Sequence, residues 1–83
     1  MKQRRELLIS LRKKKNWFQK DIVYRLKETY DIEISESYYG MIEQGVRTPS
    51  LNIALAIAEI FKVNPNKIFF EVKDNKKLGE FTA

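Results

Sequence analysis

From Leu51 to Phe61 the chain is apolar at every position except Asn52 and Glu59. In a helix, Leu51, Leu55 and Ala58 would line one side and Ile53, Ile57 and Ile60 another. A helix that is apolar nearly all round must be enclosed by other elements. The longest unbroken apolar run, Ile53 to Ala58, is far short of the roughly 20 residues that span a bilayer. The enclosing elements must therefore come from the rest of the chain, whose 83 residues allow one small domain with one thin core. This stretch is expected to be the central helix of that core.

The remaining periodicity supplies helices to surround it. Residues 3–15 read as a first helix, with Leu7 or Leu8 and Leu11 as its apolar stripe and Arg12 to Lys15 at its C-terminal dipole end. Asn16 is its stop. A second helix is predicted from about Gln19 to Tyr30, where Ile22, Leu26 and Tyr30 recur every four residues and Val23 widens the stripe. Asp31 to Ile34 reads as a connector with some extended character. Ser35 is a good N-cap for a third helix, Glu36 suits its first turn, and Gly45 supplies the left-handed residue after Gln44. Tyr39 and Ile42 face inward, flanked by Tyr38; Glu36, Ser37, Gly40, Met41 and Gln44 face outward. Thr48 or Ser50 caps the central helix, with Pro49 near its first turn. Asn64-Pro65 starts a fifth helix through about Phe69. The alternation of Ile68, Phe70 and Val72 also fits a short extended segment. The expectation is an all-α five-helix bundle over residues 1–70, with 71–83 as a tail that is either disordered or dimer-forming.

Composition narrows the chemistry. There is no Cys and no His, which removes disulfides, the usual metal and haem ligands, and the commonest catalytic base and nucleophile. Glycines at 40, 45 and 79 make no phosphate-binding loop. We expect no enzymatic activity, no cofactor and no metal. Behind Lys2, Arg4 and Arg5 the apolar stretch Leu7-Leu8-Ile9 is too short for a signal peptide, so a soluble, cytoplasmic protein without a membrane partner is expected. The formal net charge of +5 is uneven: residues 1–27 carry ten Lys/Arg and two acids, whereas residues 28–45 carry five acids and no Lys/Arg. The basic third suits a polyanion, because Lys and Arg displace counterions condensed on phosphates.

The outward face of the third helix suits the same partner. Base edges in the major groove offer hydrogen bonds and the thymine methyl, and Glu36, Ser37 and Met41 provide a carboxylate, a hydroxyl and an apolar contact. Gly40 disfavours a helix interior by about 1 kcal/mol relative to Ala, which implies a close approach by DNA or by another helix; DNA is the favoured candidate.

In order along the chain, Arg12, Gln19, Ser35-Glu36-Ser37-Tyr38-Tyr39, Ile42-Glu43-Gln44-Gly45, Arg47-Thr48-Pro49-Ser50-Leu51 and Ala56-Ile57-Ala58 resemble the Cro/repressor-type (XRE, lambda-repressor-like) helix-turn-helix family, over Arg12 to Phe69. The resemblance implies a lambda-repressor-like bundle whose second and third helices form the helix-turn-helix. It implies base contacts from Glu36, Ser37, Gly40 and Met41, phosphate contacts from Gln19, Lys20, Tyr38, Gln44 and Arg47, and a structural ion pair of Arg12 with Glu43. The implied function is sequence-specific double-stranded DNA binding by a transcriptional repressor, as a homodimer. The dimer surface is expected at Ile68, Phe69, Phe70 and Val72. The alternative is a protein-interaction module on the same fold, binding an antitoxin or antirepressor through the acidic 28–36 segment. Two departures stand out. Lys27 to Ile34 is longer than the family's short turn by about six residues, which predicts an extended second helix. Phe18 replaces the usual Ser or Thr cap, so Trp17 and Phe18 are expected to clamp that helix start by packing.

Overall fold

The computed structural model describes residues 4–70. They form α1 (Glu6–Lys14), α2 (Gln19–Tyr30), α3 (Glu36–Glu43), α4 (Leu51–Phe61) and a short π-type helix, α5 (Asn66–Phe70). No strand occurs among the described residues, so the all-α architecture expected from the sequence holds. Helix α2 packs on α3 and α4, and α1 packs on α3 and α5. Leu8, Ile22, Leu26, Tyr39, Ile42 and Ile57 are fully enclosed, so each of the first four helices contributes to one shared core.

Left-handed residues end the first four helices. Asn16, Asp31, Gly45 and Lys62 all have φ between 56° and 78°. After α3, the Gly45 N–H donates to the Ile42 carbonyl and the Val46 N–H to the Met41 carbonyl. This crossed pair satisfies carbonyls that the helix itself leaves open. Asn16 and Gly45 fill the stop positions read from the sequence. Asp31 ends α2 only at Tyr30, which gives the extended second helix. Beyond it, Ile32 and Ile34 turn inward against the core without forming a strand.

Helix α4 is less enclosed than its composition predicts. Its buried side is Ala54, Ala56, Ile57, Ala58 and Phe61, whereas Leu51 and Leu55 remain 64% and 46% exposed. Four short neighbours cannot surround an eleven-residue helix, and the small alanines, which let neighbours approach, turn that side inward.

The fifth helix also differs from expectation. Asn64 Oδ1 accepts from the Asn66 N–H at 2.8 Å, which starts it, and the coil continues to Phe70 in place of an extended segment. Ile68 is buried in the monomer core, so it is withdrawn from the expected dimer surface. Phe69 is half-buried beneath Arg5, whose guanidinium lies 5.3 Å from its ring centre. Phe70 is exposed, and Val72 and the tail 71–83 lie outside the described residues.

Candidate nucleic-acid interface

Helix α3 has two unlike sides. Ser35 accepts the Tyr38 N–H at 3.0 Å and so fixes the helix start. Tyr39, Ile42 and Glu43 are buried. Glu36, Ser37 and Gln44 are exposed, and Gly40 and Met41 are partly so. Tyr38 lies half-buried against the core. Arg47 is exposed just beyond the helix, and its carbonyl is held by Arg5 Nη1 at 3.2 Å.

The surface is fixed from beneath by a buried carboxylate. Arg12 Nε lies 2.6 Å from Glu43 Oε2, and Arg12 Nη2 donates to Glu43 Oε1 at 3.0 Å. Arg12 Nη1 donates to the Trp17 carbonyl at 2.9 Å. One guanidinium thus ties the end of α1, the α1–α2 turn and α3 together. Burial alone would raise the Glu43 pKa, but the hydrogen bonds from Arg12 and Gln19 outweigh it and hold the carboxyl below its ordinary range. The same bond raises the Arg12 pKa further. The Tyr39 hydroxyl lies buried beside this carboxylate without closing a well-formed hydrogen bond, and burial keeps the phenol protonated.

Gln19 joins this group. Its Nε2 donates to Glu43 Oε1 at 3.0 Å, which uses one of its two amide hydrogens and leaves the other free. The close approach anticipated at Gly40 is made by this side chain: a Cβ at Gly40 would stand 3.3 Å from Gln19 Oε1. A neighbouring helix, rather than DNA alone, therefore accounts for the glycine. Arg12, Phe18, Gln19, Lys20 and Glu36 line an open cleft of about 440 Å³ where α1, α2 and α3 meet.

The aromatic pair before α2 divides. Trp17 packs on Phe61 at 5.8 Å and carries the Arg25 guanidinium 4.0 Å from its ring centre. Phe18 clamps nothing: it is 67% exposed, with Lys20 Nζ 5.8 Å from its ring centre. Asp21 supplies a substitute cap by accepting the Phe18 N–H at 2.6 Å.

Arg5 is a structural residue that sequence reasoning missed. Its backbone N–H donates to the Glu43 carbonyl at 2.8 Å, and its Nη1 donates to the Ile42 carbonyl at 2.7 Å. A cation at these last carbonyls complements the helix dipole. Partial burial lowers the Arg5 pKa. No sequence pattern marks it, because its acceptors are main-chain atoms. The acids Glu28, in the last turn of α2, and Asp31 and Glu33, just after it, are all exposed, and Lys27 Nζ reaches Glu33 at 3.5 Å.

No helix among the described residues is long and apolar enough to cross a membrane, and no cluster of potential metal ligands occurs among them. A family model described as a helix-turn-helix domain matches residues 6–73. No curated protein and no solved structure gives a significant match.

Proposed function

Because the chain belongs to the helix-turn-helix domain family, a family of DNA-binding domains, we propose that it is a sequence-specific double-stranded DNA-binding regulator of the Cro/repressor type. The observation that carries this reading is the division of α3: three buried residues hold it to the core, while on the other side Glu36, Ser37 and Gln44 are exposed and Gly40 and Met41 partly so. That side enters the major groove. Ser37 bonds base edges, Glu36 accepts from a cytosine amino group, and Met41 meets a thymine methyl. Gly40 keeps the backbone close to the bases.

Phosphates flank this contact. Gln19 donates its free amide hydrogen and Lys20 its ammonium from the start of α2, where the dipole favours anions. Tyr38, Gln44 and Arg47 hold the strand beyond α3. The buried Glu43 does not touch DNA; it aims Gln19. The mode of action is steric repression in the cytoplasm: two copies on adjacent half-sites block polymerase access.

Arg47→Ala and Gln19→Ala should weaken binding to every duplex and reduce the slope of log K against log salt, by about one for Arg47. An unchanged slope for Arg47→Ala would remove that residue from the phosphate set.

A protein-interaction module on the same fold is favoured by one observation, the exposure of Glu28, Asp31 and Glu33. A gel shift on random duplex at low salt separates the two: no retardation at micromolar protein favours the interaction module.

A further inference from the structure

We infer that Phe18 is a further DNA-contacting residue, whose ring covers the apolar edge of one nucleotide, its deoxyribose and any C5 methyl beside it, in the strand that Gln19 and Lys20 hold. This deepens the DNA-binding reading and rests on it. Phe18 is the most exposed large apolar side chain among the described residues, at 67%. It occupies the N-cap position of α2, where a Ser, Thr, Asp or Asn oxygen ordinarily bonds the free N–H groups of a helix start. Its side chain makes no such bond, and the packed core takes Trp17 instead. The ring therefore serves neither the helix start nor the core.

The surroundings select the occupant. Phe18, Gln19, Lys20 and Glu36 line one open cleft of about 440 Å³, and Lys20 Nζ lies 5.8 Å from the Phe18 ring centre. An ammonium, an amide, an apolar ring and a carboxylate thus face one space. A nucleotide presents the matching set: an anionic phosphate, the C–H groups of its sugar, and a base edge that carries an amino donor or a methyl. An apolar protein partner would have to strip water from Lys20 and Glu36 to reach the ring, without pairing either. A phosphate pairs the first and a cytosine amino group the second.

Phe18 differs from the phosphate contacts in what it contributes. Covering its ring with C–H groups removes apolar surface from water but releases no counterions, so it adds affinity without steepening the salt dependence. A sugar is present at every position of every duplex, so that part of the contact is independent of sequence. A C5 methyl adds a preference for thymine at one position.

The test uses a duplex recovered from a random pool by the full chain. Phe18→Ala removes the ring without adding a cap. It should melt close to the parent yet bind this duplex about tenfold more weakly, with an unchanged slope of log K against log salt. Phe18→Leu, which keeps an apolar side chain, should retain most of the affinity. Exchanging each thymine for uracil in turn identifies the source of the contact. A loss at one position that is absent in Phe18→Ala assigns the methyl, and no such position assigns the deoxyribose. Undiminished binding by Phe18→Ala, or a Phe18→Leu as weak as Phe18→Ala, would overturn the inference and leave the DNA-binding reading intact. A loss accompanied by a shallower salt slope would also overturn it, because Phe18 would then act only by holding Lys20. Failure of the parent to retain any duplex would defeat the DNA-binding reading and this inference with it.

Discussion

Replacing Glu43 by Ala removes the carboxylate on which three segments converge. Glu43 is 2% exposed, and the Arg12 side chain facing it is 11% exposed. The substitution strands Arg12 Nε and Nη2 and one amide hydrogen of Gln19. Arg12 keeps only its bond to the Trp17 carbonyl. Removing one partner of a buried pair destabilises by about 3–5 kcal/mol, mostly because the remaining charge is left buried and uncompensated. A domain of this kind has total stability on the order of 5–15 kcal/mol, so Glu43→Ala should remove a large share of it. Urea denaturation followed by circular dichroism reads this as a fall in midpoint with little change in slope. The double variant Arg12→Met/Glu43→Leu removes both charges together, and its stability should return to within about 1 kcal/mol of the parent. A loss below about 1 kcal/mol for Glu43→Ala, or a double variant as unstable as the sum of the singles, would refute the reasoning.

Other consequences follow from the same geometry. The Glu43 pKa is depressed in the folded state, so its contribution is present above the unfolded value near 4.3 and is lost as pH falls through the lower folded value. Unfolding titrations from pH 7 to 2 should show this acid loss in the parent and a flatter profile in Glu43→Gln. Phe18→Ser supplies the missing cap at an exposed position and should stabilise by about 1 kcal/mol; a lower melting temperature would mean that Phe18 packs after all. Gly40→Ala improves helix propensity by about 1 kcal/mol but crowds the flexible end of Gln19. Its melting temperature should hold or rise while duplex affinity falls, and a fall in both would point to a backbone conflict instead.

Periodicity made the helices legible, because Ile22, Leu26, Tyr39 and Ile42 each mark a buried stripe. It could not show which sides of α4 would find neighbours, since Leu51 and Ala54 read alike until the partners are placed. Helix ends were legible at Asn16 and Gly45, whose residue types favour left-handed backbone. Lys62 adopts the same conformation against its type, imposed by Val63 turning back to the Ala58 carbonyl. Glu43 and Arg12, 31 residues apart, were paired only through the family pattern. That Gln19 also serves Glu43, and thereby explains Gly40, was legible only once α2 and α3 were set side by side.

The central claim is that the outward side of α3 reads bases. Its most direct test is selection of bound duplexes from a random pool by the parent chain and by Met41→Gln. The parent should return one consensus with two related half-sites. The variant should return that consensus altered at one base pair in each half-site, where an amide replaces an apolar contact. No enrichment by the parent, or an identical consensus from the variant, would contradict the claim.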